Sequence, residues 1–175
     1  IQIYVKEKPR TLVSHIGTGR HYNINSKSGR LQVLFTDSDQ RNNIYNTDIA
    51  SYYENMECIE EMHHPYVVIT PDYMVYTADF SKLIEQHIQS EADITLLYHA
   101  VDNAKDAYLN CNILNLNKQK GVLSIEPNHG NAKNRNIFMD TYIMKKDLFI
   151  ELIRKAKAIS SAFTLADIME VSIYR

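Results

Sequence analysis

Tyr66-Val67-Val68-Ile69-Thr70-Pro71-Asp72-Tyr73 is the stretch on which the reading of this chain turns. Its first five residues show none of the apolar and polar alternation of a half-solvated strand. The run therefore reads as a central strand buried on both faces. In open α/β sheets ligands bind beyond the carboxyl ends of the strands, which makes Pro71, Asp72 and Tyr73 the place to look for chemistry.

Working outward, Phe80, Leu83, Ile84 and Ile88 recur at helical spacing from about Asp79, and Ile94 to Tyr98 is the next apolar run. Strand, helix and strand make a βαβ unit. Upstream, Ile49, Tyr52, Tyr53, Met56 and Ile59 predict one helix, preceded by a strand at Leu31 to Phe35. Before that, Pro9 sits where a helix favours its first residue, and Gly17 or Gly19 can supply a left-handed terminus. Ile1 to Lys6 is a further strand. Because the chain opens inside that strand, without a methionine, an upstream first strand is expected to be missing from it.

Beyond Asp106 the helical crossovers cease. Asn112 to Leu116 and Val122 to Ile125 read as a hairpin about Asn117 to Gly121, and Ser124 to Arg135 as a polar, mobile loop. Ile137 to Met144 predicts a strand, and Leu148, Phe149, Leu152, Ile153 and Ala156 a helix. Thr164 with Asp167 three residues on has the form of a capping box.

The 175 residues fit one ordinary domain. With 19 Lys plus Arg against 21 Asp plus Glu, a formal charge of -2 gives no basic field to hold nucleic acid or an anionic membrane. No apolar run approaches the roughly 20 residues of a membrane-spanning helix, and no signal peptide opens the chain, so a soluble, cytoplasmic protein is expected. Cys58 and Cys111 are far apart, with neither disulfide-framework nor zinc spacing, and read as buried small hydrophobes.

Few residues suggest chemistry by themselves. Asp37-Ser38-Asp39 imitates the Asp-x-Asp pair with which glycosyltransferases hold a divalent metal and a nucleotide diphosphate, although a polar turn is the favoured reading. His63-His64, at a helix end before Pro65, suits dipole capping better than metal binding, since adjacent helical residues do not face a common ion. Glu60-Glu61 reads as the solvated face of the same helix. No nucleophile elbow, zincin or P-loop motif occurs.

Four segments in order resemble the glucose-1-phosphate adenylyltransferases, which form ADP-glucose from ATP and glucose 1-phosphate in glycogen synthesis. Lys8 to Gly19 is similar to the family's helix ending in His-[Leu/Ile]-Gly-Ser-Gly. Tyr45 to Met56 falls on its Tyr-Arg-Gly-Thr-Ala-Asp-Ala segment, Tyr66 to Phe80 on its Ser-Gly-Asp-His turn and following helix, and Ser124 to Met144 on Glu-Lys-Pro and Ser-Met-Gly-Ile-Tyr. Framework positions Tyr76, Asp79, Phe80, Ala92 to Thr95, Met139 and Tyr142 persist. The resemblance implies a nucleotide-diphospho-sugar-transferase-like α/β fold: a Rossmann-like mixed sheet with flanking helices. Residues 1–175 would then be a partial nucleotidyltransferase domain, the family's C-terminal β-helix domain lying outside the chain.

The chemical positions differ. On that resemblance the metal aspartate falls on Tyr73, with Asp72 in place of the preceding glycine. The sugar-phosphate lysine falls on Pro127 after Glu126. Arg-Gly-Thr becomes Asn46-Thr47-Asp48, and Ser-Met-Gly becomes Phe138-Met139-Asp140. Adenylyl transfer depends on a metal and cations neutralising phosphate oxygens, so these losses together imply a regulatory, non-catalytic subunit. It would have no cofactor of its own, where catalytic members use Mg2+, and would work in a hetero-oligomer with a catalytic subunit, with weak sugar-phosphate or nucleotide binding at most. Three rivals stand beside it: an active adenylyltransferase using Asp72, a metal-dependent glycosyltransferase using Asp37 and Asp39, and an interaction module without a ligand.

Overall fold

A computed structural model describes residues 1–6, 9–17, 31–36 and 43–173, arranged in two compact units. The first comprises Ile1–Met62 with Ile150–Ile168, the second His63–Phe149 with Met169–Arg175.

In the first unit β1 (Gln2–Val5) and β2 (Gln32–Phe35) pair in parallel, Gln2 opposite Gln32. Between them lies α1 (Pro9–Ile16), closed by Gly17 at φ 57°, whose N–H donates to the Val13 carbonyl at 2.9 Å. Gly17 is thus one of the two residues expected to end the helix, and Gly19 lies outside the described residues. The single helix expected over Ile49 to Ile59 is two, α2 (Asp48–Glu54) and α3 (Met56–Glu60). They part at Asn55, whose side-chain amide donates to the Ser51 carbonyl at 2.9 Å; asparagine offers the backbone a local alternative to helix. Ile49, Ile59, Ile153 and Ile168 are buried.

The second unit is built around one long strand. β3 (Tyr66–Ile69), β4 (Ile94–Val101) and β5 (Asn112–Leu116) all pair antiparallel with β7 (Arg135–Lys145), and β6 (Val122–Pro127) pairs with β5. β3 and β5 lie along the same edge of β7, β3 beside its last residues and β5 beside Ile137, while β4 follows the other edge. β3 and β4 thus run parallel to each other with β7 between them. Among the described residues β3 has a partner on one side only and is half-buried apart from Val67, so the expected central strand is an edge strand of this sheet.

The crossover helix α4 (Phe80–Ser90) starts at Asp79, whose carboxylate accepts from the Lys82 N–H at 3.3 Å, and ends at left-handed Glu91. α5 (Lys146–Ile159) follows β7 directly. α6 (Leu165–Ile173) opens with the expected box: the Asp167 carboxylate accepts from Thr164 N–H at 2.8 Å, and Thr164 Oγ1 accepts from Asp167 N–H at 3.2 Å. The mobile loop expected over Ser124 to Arg135 is smaller and firmly held. β6 takes its first residues, and the buried Asn128 amide then donates to the carbonyls of Ala104 (2.8 Å), Tyr108 (3.1 Å) and Ala107 (3.3 Å).

Cys111 packs on the buried trio Ala104, Ile113 and Ile137, as a small hydrophobe should, and Cys58 is half-buried. Among the described residues no helix is long and apolar enough to cross a membrane.

Candidate functional site

β7 carries the irregularity on which the site depends. On β4, Leu97 and Tyr98 are consecutive, yet they face Thr141 and Phe138, so Met139 and Asp140 are additional residues on β7. This is a β-bulge, and Asp140 stands in it at φ 43°, the left-handed region that favours glycine. On the resemblance, this is the position of the glycine of Ser-Met-Gly. Aspartate is among the residues that tolerate this region, so Asp140 can hold the bulge.

β3 ends opposite Tyr142, two residues past the bulge, and delivers Asp72 and Tyr73 into the turn beyond it. Both are exposed, Tyr73 to 63%, and neither has a hydrogen-bond partner or ion pair among the described residues. The segment that follows is fixed to the bulge through buried Thr141, whose hydroxyl bonds the Tyr76 phenol and donates to the Met139 carbonyl at 2.9 Å. Tyr76 therefore serves as the framework residue the sequence suggests, by satisfying a hydroxyl at zero exposure.

Phe138 requires a correction. The resemblance puts it among the substrate-pocket positions, but its ring is 1% exposed and packs edge-on against Tyr142 at 5.2 Å. It belongs to the core, where it is sealed against Tyr142 of the same strand. Met139 and Asp140 are half-buried. Glu126 is exposed, and its carboxylate accepts from Asn115 Nδ2 and Ser124 Oγ, each at 2.7 Å. Pro127 ends β6 opposite Asn112 and offers neither a cation nor an N–H.

The remaining positions, Asn46, Thr47 and Asp48, belong to the first unit and serve structure. The Asn46 carbonyl accepts from Lys6 Nζ at 2.8 Å. Thr47 is the buried N-cap of α2, accepting from the Ala50 N–H at 3.1 Å. One oxygen of Asp48 accepts from two helix starts at once, Ile49 N–H at 2.8 Å and Leu165 N–H at 3.0 Å. Burial pushes the Asp48 carboxyl up, outweighing those two donors and the nearby Lys6 ammonium. Tyr52 is raised too, chiefly by burial and further by Asp48, and its ring meets Tyr4 edge-on at 4.8 Å.

For a magnesium ion of the kind the resemblance implies, the described residues do not assemble a site. Asp72 is one exposed carboxylate, the aligned aspartate is a phenol at Tyr73, and no three His, Cys, Asp or Glu side chains group together among the described residues. Asp37 and Asp39 lie outside the described residues. His63 and His64 are exposed just after α3. Glu60 pairs with Arg154 at 2.6 Å, both ends well exposed, a contact worth little. Two features went unseen in the sequence: the Asn128 pin, hinted at only by its Asn-x-Gly spacing to Gly130, and Asp48 as a cap shared by helices 117 residues apart.

No protein-family model matches the chain. It is 26% identical over 144 residues to a glucose-1-phosphate adenylyltransferase of Clostridium perfringens and 24% identical over 144 residues to that of Clostridioides difficile. Each comparison covers 82% of this chain and 37% of the relative, so the chain spans a little over a third of the length of the curated proteins it matches. Among solved structures it is similar to HddC from Yersinia pseudotuberculosis, with a TM-score of 0.68 and 14% identity over 95% of this chain and 62% of HddC. The α/β fold expected from the sequence is therefore the observed one, a mixed arrangement of parallel and antiparallel strands with helices.

Proposed function

We propose that this chain belongs to a regulatory subunit of a glucose-1-phosphate adenylyltransferase. It acts in the cytoplasm with a catalytic subunit as ADP-glucose is made from ATP and glucose 1-phosphate for glycogen. The observation that carries the reading is Asp48. At a position that resemblance assigns to the substrate pocket, a carboxylate is committed to the N-termini of α2 and α6. In its ionised form this half-buried carboxylate opposes an incoming phosphate, with a strength set by how far water screens it. The same direction follows from Tyr73 in place of a metal carboxylate, Pro127 in place of a lysine and Phe138 sealed in the core.

Catalysis of adenylyl transfer is mostly electrostatic positioning, and a site lacking several of its charges loses orders of magnitude in rate. Contact with a catalytic partner is then how such a subunit acts. The test is pyrophosphate release from ATP and glucose 1-phosphate with magnesium. The protein alone should give no turnover above background, and adding it to a catalytic glucose-1-phosphate adenylyltransferase should change that enzyme's KM or kcat. Robust turnover by the protein alone would establish instead an active enzyme working through Asp72. Manganese held by Asp37 and Asp39 in a crystal would favour a glycosyltransferase.

A further inference from the structure

At the far end of the β4 and β7 ladder from the β3 turn, the second unit holds an open groove of about 660 Å³. That is within the roughly 300–1,000 Å³ of small-molecule sites. Asp102 and Arg135 both line it, next to the cross-strand pair Val101 and Arg135. These neighbours of opposite charge do not close on each other. Among the described residues neither the Asp102 carboxylate nor the Arg135 guanidinium has a hydrogen-bond or ion-pair partner. Arg135 is half-buried, so a planar fork of N–H donors stands partly out of water with nothing to receive it.

One wall of the groove is built at a cost. Tyr108 is held at φ 58°, an unusual conformation for a bulky residue, and is 44% exposed. The Asn128 amide fixes it there through the Tyr108 carbonyl, and a Cβ on Gly130 would come within 2.9 Å of the Lys105 carbonyl oxygen, so the two loops are locked together. Strain kept by surrounding structure is a mark of a working surface. Asn103 and Asn134 complete the lining with groups that both donate and accept.

We propose that this groove binds a small zwitterion, a free α-amino acid. Its carboxylate is taken by the Arg135 fork, its ammonium by Asp102, and its side chain lies against Tyr108. A simple anion would gain Arg135 and meet Asp102 as a like charge, whereas the zwitterion satisfies both. The proposal is independent of the regulatory reading, since it concerns different residues and needs no activity.

Isothermal titration of the protein with L-phenylalanine and L-glutamine, with acetate and methylamine as single-charge controls, tests it. At least one amino acid should saturate below about 10 mM. Arg135→Gln and Asp102→Asn should each weaken it by about tenfold or more, and the controls should bind at least about tenfold more weakly. Asp102→Asn is isosteric and Arg135→Gln a shortened, uncharged replacement, and far-UV circular dichroism confirms that each variant is folded. The proposal falls if neither amino acid saturates, if acetate binds as well and Asp102→Asn tightens it, or if both variants bind as the parent does.

Discussion

His87 is the one histidine the second unit buries, at 2% exposure on the last turn of α4. Its Nδ1 shares a hydrogen bond with the Thr95 hydroxyl at 2.7 Å, and its ring meets Tyr66 edge-on at 5.6 Å. Burial, followed by the Lys145 charge, pushes the imidazole below its ordinary value, so the native state holds it neutral more firmly than the unfolded chain does. The unfolded chain then takes up more protons, and stability falls as pH drops through the ordinary histidine value of about 6.5. Urea midpoints measured from pH 8 to pH 5 should decline over that interval, and His87→Gln should flatten the decline. Asp140 supports a second expectation at this scale. Asp140→Val puts a β-branched residue at φ 43° and should cost about 1–3 kcal/mol in chemical denaturation, while Asp140→Gly keeps the bulge and folds.

At the scale of elements, the bonds that tie segments together come from side chains with no local pattern. Asn128→Ala removes the donor to three backbone carbonyls while Gly130 still demands the close approach, so a loss of about 1–3 kcal/mol is expected. Asp48→Ala should cost about 1 kcal/mol, as loss of an N-cap does, and Asp48→Asn, which keeps the accepting oxygen, should cost less. Both are read as shifts in urea midpoint. This is also where reading from sequence stopped. The helix start near Asp79, the capping box at Thr164, the hairpin after Leu116 and the strand of Ile137 to Met144 follow from spacing, because those forces act within a few residues. The break at Asn55, the bulge at Asp140 and the cap from Asp48 to Leu165 depend on partners set by tertiary structure, as does the one-sided pairing of Tyr66 to Ile69. The burial of Phe138 against Tyr142 likewise depends on how β7 packs, which the resemblance alone does not reveal.

For the whole molecule, repair of a single site residue is expected to fail. Tyr73→Asp offers a carboxylate to a metal, but Pro127 supplies no charge and Asp140 remains beside the turn, and cooperating catalytic groups are far from additive. Pyrophosphate release should stay at background for Tyr73→Asp, and only Tyr73→Asp combined with Pro127→Lys and Asp140→Gly has prospects of turnover. The arrangement about β7 also fixes an order of events at the ribosome. β3 and β4 have β7 as their partner among the described residues, while the β5 and β6 hairpin alone can close on itself. At roughly 5–20 residues per second, the interval from Ile69 to Lys145 is about 4–15 s of synthesis. For that time β3, joined part-way by β4, lacks its partner among the described residues, so the nascent chain is a ready client for chaperones. Slowing translation upstream of β7 should lower the soluble yield more than slowing it afterwards.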